Sequence, residues 1–108
     1  MCLQQCFGVD NVHAFQRVLG TLRARGNDVL VVLGPFNGHL MAEDNRPAYR
    51  RIHDGIVAWL ARNQIPHVVP QTLPSQLYAD VSHPLTDGYA LLAKRLYDDT
   101  EFQTWLKR

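Results

Sequence analysis

Serine is nearly missing from this chain. Ser75 and Ser82 are the only two in 108 residues. Neither occupies the strand-to-helix elbow that exposes a nucleophilic hydroxyl. Ser75 follows Pro74 in a loop, Ser82 adjoins a histidine, and Thr72 and Thr86 are no better placed. Cysteine is confined to Cys2 and Cys6. Their i, i+4 spacing has no histidine or cysteine cluster elsewhere to complete a metal site. They read as reduced thiols, and no metal or organic cofactor is implied. An excess of either charge is lacking too: 11 basic and 10 acidic residues leave a net charge of +1, mixed along the chain. That removes the electrostatic case for nucleic acid or an anionic membrane. The apolar runs, Val29 to Leu33 among them, are far too short to span a bilayer. The start, Met1 to Cys6, has neither the basic region nor the apolar core of a signal peptide. The compartment stays open, with the cytoplasm as the default.

What is present is a globular composition, 46% hydrophobic and 19% charged. It predicts a single α/β domain over residues 1–108. Asp10 or Asn11 can cap a helix running to about Arg25, with Val12, Phe15, Val18, Leu19 and Leu22 on one face. Gly26-Asn27 is a helix stop. Val29 to Leu33 is a run rich in β-branched residues, which predicts a strand buried on both faces. Pro47 suits the first turn of a second helix, whose stripe is Tyr49, Ile52, Ile56, Trp59 and Leu60. Pro66 to Val69 is a second strand. A third helix begins near Leu85 or Thr86, with Tyr89, Leu92, Ala93 and Leu96 expected to face inward. A last short helix over Thr100 to Leu106 would dock through Phe102, Trp105 and Leu106.

The order α-β-α-β-α with doubly buried strands points to a parallel sheet with helices on both faces. Two strands are too few for that arrangement. They leave open edges and a thin core. The sheet is therefore expected to be extended by upstream sequence, by a second copy in a homo-oligomer, or by a partner chain.

The chemistry concentrates in Asp80-Val81-Ser82-His83-Pro84, at the entry of the third helix. An acid three residues before a histidine can hold one ring nitrogen while the other faces a nucleophile. His83 would then be a general base that takes a hydroxyl proton and delivers it to a leaving alkoxide. Asp80 would fix its tautomer. The bland reading is that His83 packs at a helix start and Asp80 caps a turn. Asp87 is a rival acid, but a first-turn carboxylate is explained by the helix dipole. Asn37, with Gly34 or Gly38, can offer oxyanion or pocket donors from a loop beyond a strand's C-terminal end. The same residues also read as a proline-glycine turn. His39, beside that loop, can line a pocket or simply be solvated; His13, His53 and His67 read as packing or surface residues, Trp59 and Trp105 as core.

Asp80-x-x-His83-Pro84, followed by Gly88-Tyr89 and Leu92-Ala93, resembles the last conserved block of the SGNH (GDSL-type) hydrolases. The resemblance covers Gln76 to Leu96. It implies a three-layer, flavodoxin-like α/β/α fold and serine-dependent hydrolysis of small esters or acylated substrates, with His83 as base and Asp80 as its orienter. The serine and glycine blocks of that family have no counterpart here. Gly34-Pro35-Phe36-Asn37-Gly38 is only faintly similar to the asparagine block, since no aspartate follows Asn37. The chain would thus match the C-terminal half of such an enzyme, with an incomplete triad and no activity alone. The alternative is a non-catalytic, oligomeric α/β module that binds a partner or small ligand. A receiver-like domain is a third option, but the acidic cluster it needs at the strand ends is missing.

Overall fold

The computed structural model describes residues 9–37 and 43–108. Expectations that concern Cys2, Cys6, Gly38 and His39 fall outside them. The chain is a mixed helix-strand protein that divides into two compact units. One holds residues 9–29 and 43–65, the other 30–37 and 66–108.

The first unit is helical. Helix α1 spans Val9–Ala24, and α2 spans Arg46–Arg62 after a 3-10 turn at Glu43–Asn45. Pro47 lies in the first turn of α2, where its missing N–H has no intrahelical partner to lose. Both helices end in the same device. After α1, Gly26 takes φ +82°, its N–H donates to the Arg23 carbonyl, and the Asn27 N–H donates to the Leu22 carbonyl. After α2, Gln64 takes φ +54°, its N–H donates to the Ala61 carbonyl, and the Ile65 N–H donates to the Leu60 carbonyl. These paired 5→2 and 6→1 bonds satisfy carbonyls that the helix itself cannot. The second stop also buries Leu60 and Ile65, the apolar pair that usually accompanies the motif. Phe15 and Trp59 stack at a tilt with ring centroids 6.4 Å apart, and the Arg23 guanidinium donates to the Asn63 carbonyl at 3.0 Å.

The second unit holds a two-stranded parallel sheet. Strand β1 is Val31–Val32 and β2 is His67–Val68, with Val31 opposite His67 and Val32 opposite Val68. The Val31 N–H donates to the Pro66 carbonyl and the Leu33 N–H to the Val68 carbonyl. The expectation of strands buried on both faces is corrected here. Val31 and Val68 are buried, but Val32 is 38% exposed and Val69 42%. Among the described residues the sheet has two strands, so β1 and β2 each have a strand neighbour on one flank. β-branched composition reports strand propensity and does not count neighbours.

Helix α3 spans Thr86–Asp98 and α4 spans Thr100–Leu106. Asp99 separates them and caps α4, its side chain accepting from the Phe102 N–H at 3.1 Å. The expected inward face of α3 is rotated. Gly88 is buried and Leu92 and Leu96 are partly buried, whereas Tyr89 is 52% exposed and Ala93 is exposed. Gly88 sets this phase. A Cβ built there would lie 2.6 Å from the Leu77 carbonyl oxygen and 3.0 Å from the Pro84 Cβ. The backbone of α3 therefore sits directly against the preceding loop, and position 89, about 100° further round, turns away. On α4, Phe102 and Trp105 are partly buried with their rings 6.1 Å apart, while Leu106 is exposed, against expectation.

Candidate functional site

The loop from Tyr78 to Pro84 leaves the region after β2 and closes on itself. Tyr78 and Pro84 form an antiparallel bridge, the Ala79 N–H donates to the His83 carbonyl at 2.7 Å, and the Leu85 N–H to the Leu77 carbonyl at 2.7 Å. His83 lies inside this loop, three residues before α3 begins, rather than at the helix entry itself.

Asp80 organises the tip. Its Oδ1 accepts from the Ser82 N–H at 2.9 Å and the His83 N–H at 2.8 Å, an Asx-type turn. Both carboxylate oxygens lie 2.9 Å from His83 Nδ1. The Ser82 backbone donor, then the His83 side chain, hold the Asp80 carboxyl below its ordinary value of 3.8. The two side chains stand in solvent, His83 64% and Asp80 58% exposed.

This geometry assigns the ring's protons. A carboxylate only accepts, so the nitrogen facing it must carry hydrogen. Neutral His83 is thus protonated at Nδ1, and Nε2 is the basic atom. No hydrogen bond engages Nε2 among the described residues. Ser82 Oγ lies 3.1 Å from Nδ1, the same nitrogen that Asp80 occupies. There it can accept but cannot surrender its proton. Ser82 is therefore not the nucleophile served by this base.

Asn37 is placed differently from a substrate-facing donor. It is wholly buried (0% exposed). Its main-chain N–H donates to the Val81 carbonyl at 2.7 Å, and its side-chain amide to Ser75 Oγ at 3.3 Å. The first bond reaches the loop that carries Asp80 and His83, and the second the 3-10 turn at Ser75–Leu77 that precedes it. In this structure Asn37 is enclosed, so an oxyanion role for it would need the surrounding chain to open. Gly34 is exposed just beyond β1, with nothing within 4 Å of where a Cβ would stand. Gly38 lies outside the described residues.

Sequence reasoning missed Tyr78. Its buried hydroxyl donates to the Pro35 carbonyl at 2.6 Å and accepts from the Leu73 N–H at 3.2 Å. Together Tyr78 and Asn37 fasten the chain after β1 to the loop after β2. No local pattern announces this, because the partners lie about forty residues apart. Ser75, weighed only as a nucleophile, is instead Asn37's acceptor.

Among the described residues no group of three or more His, Cys, Asp or Glu could hold a metal ion, and no helix is long and apolar enough to cross a membrane. No protein-family model, curated protein or solved structure matches the chain.

Proposed function

We propose that this chain is the base-bearing part of an SGNH-type ester hydrolase, with a flavodoxin-like three-layer arrangement completed by strands from elsewhere. His83 Nε2 takes the proton of a serine hydroxyl, and Asp80 holds the ring from the Nδ1 side. The serine and the oxyanion donors come from upstream sequence or from another chain. The observation that carries this reading is the 2.9 Å Asp80–His83 contact, in a loop after β2 of a parallel pair, with Nε2 unengaged among the described residues. Hydrolysis of p-nitrophenyl acetate tests it. The purified chain alone should match free imidazole at equal concentration. Co-expression with the coding sequence immediately upstream should give turnover that His83→Ala abolishes. No turnover in the co-expressed form, or turnover that survives His83→Ala, would refute the proposal.

A second reading is favoured by the exposed Val32 on β1 and the exposed Val69 just after β2, on a sheet that has two strands among the described residues. In it the chain is a non-catalytic module whose sheet is extended by a second copy. Sedimentation decides this: a monodisperse, folded 12.3 kDa species at micromolar concentration excludes it.

A further inference from the structure

Helix α3 carries an outward face with no charge on it. Tyr89, Ala90, Ala93 and Tyr97 are all exposed, Tyr89 at 52% and Tyr97 at 63%. At about 100° per residue, these four fall within an arc of about 100°. The outer side of a surface helix normally holds charged residues, interrupted by single apolar ones. Four uncharged positions in one arc depart from that pattern. The charges of α3, which are Asp87, Lys94, Arg95 and Asp98, all lie beyond one border of the arc.

Asp87 and Lys94 stand seven residues apart, so they share that border, nearly in line along the helix axis. About 10.5 Å of rise separates them, too far for an ion pair within the helix. Neither side chain makes an ion pair or hydrogen bond among the described residues, and Lys94 does not pair with Asp98 one turn on. The sizes are patterned as well. Two tyrosines flank two alanines, and Leu85, 46% exposed, lies one turn before Tyr89.

We infer that this face docks a second copy of the chain, α3 against α3, antiparallel about a two-fold axis. A pair centred near Leu91 sets Tyr89 over the partner's Ala93 and Tyr97 over the partner's Leu85. A large side chain meets a smaller one each time. The same register sets Asp87 beside the partner's Lys94, twice over, because a two-fold antiparallel pair brings like borders together. A parallel pair would stack tyrosine on tyrosine and leave the alanines facing a gap. One face of a 13-residue helix is small for an interface, so the association is weak. The inference rests on neither the hydrolase nor the sheet-extension reading, since none of its residues lies in β1, β2 or the loop from Tyr78 to Pro84.

Sedimentation equilibrium of the full chain from about 1 μM to about 1 mM tests it, with methyl spectra of alanine-labelled protein over the same range. A monomer–dimer equilibrium with a dissociation constant on the order of 100 μM is expected, and the Ala90 and Ala93 methyl signals should shift with it. Ala93→Glu should weaken association at least about tenfold. Asp87→Lys and Lys94→Asp should each weaken it about fivefold at low salt, and an equimolar mixture of the two should recover the native affinity. If Asp87→Lys fails to fold, Ala93→Glu and the methyl signals decide. A chain that stays monomeric at about 1 mM, association that Ala93→Glu leaves unchanged, or a mixture no tighter than its components would each overturn the inference. The second of these would place the contact elsewhere, as sheet extension does. Ala90 and Ala93 signals of buried character at every concentration would also overturn it, since another segment of the same chain would then cover the face.

Discussion

The Asn37 side-chain amide, enclosed on all sides, donates to the Ser75 hydroxyl, while its main-chain N–H donates to the Val81 carbonyl. Asn37, in the chain after β1, thereby holds the tip of the loop that presents Asp80 and His83 and the 3-10 turn that precedes it. Asn37→Ala removes the side-chain donor and leaves a void, which should cost about 1–3 kcal/mol in urea unfolding. Asn37→Asp should cost more at neutral pH, because it places an unpaired charge in a fully buried site.

Asp80 dictates which nitrogen of His83 carries the proton. In the native protein above neutral pH, 15N-detected imidazole spectra should show the Nδ1–H tautomer. Asp80→Ala removes the only charged acceptor from that side, and the spectra should then show a mixture with Nε2–H. An unchanged tautomer in Asp80→Ala would mean that another group orients the ring.

The pH dependence follows from the lowered Asp80 carboxyl. A depressed folded-state value means that the ionised form is favoured by folding. Its contribution to stability is complete above the ordinary value of 3.8 and is lost as pH falls through the lower folded value. Acid unfolding profiles of the native protein and Asp80→Ala should therefore converge below that window and separate above it. The separation should be small, because the group is solvent-exposed.

Gly88→Ala should destabilise the second unit by about 1–3 kcal/mol, although alanine is the better helix former by about 1 kcal/mol. The obstacle is the Leu77 backbone oxygen, 2.6 Å from the new Cβ, which cannot move aside as a side-chain tip would. A thermal or urea transition equal to the native one would show that α3 can shift off the loop at no cost.

Gln64→Gly should act in the opposite sense. Gln64 is the only non-glycine residue with positive φ among those described, at +54°. A left-handed conformation costs an L-residue about 1–2 kcal/mol, and the added freedom of glycine in the unfolded chain offsets part of that. A net stabilisation of about 0.5–1 kcal/mol is expected, measured by urea unfolding.

Much of the local structure was legible in the sequence because its causes are local. Gly26-Asn27 stops α1 through bonds that reach back only three and five residues. Pro47 opens α2, and the stripe from Tyr49 to Leu60 runs along one face of it. Asp80 and His83 meet because a three-residue spacing lets one carboxylate accept from two backbone N–H groups and the imidazole together. The expected interior strands and the inward Tyr89 rested instead on composition and periodicity. Those report which residues can pack, and not what is there to pack against.

The sequence by itself therefore determined the helices, the Gly26-Asn27 stop and the Asp80–His83 pair, since each depends on contacts within a few residues. Only the tertiary structure decided that Asn37 is enclosed, that Tyr78 ties to Pro35, that Gly88 sets the phase of α3 and that Val32 is left at an edge. Asn37 and Tyr78 depend on chain segments brought together across roughly forty residues. Gly88 depends on close backbone approach to the preceding loop, and Val32 on how many strands lie beside β1. The alternation or spacing of side chains along one segment carries no record of any of these.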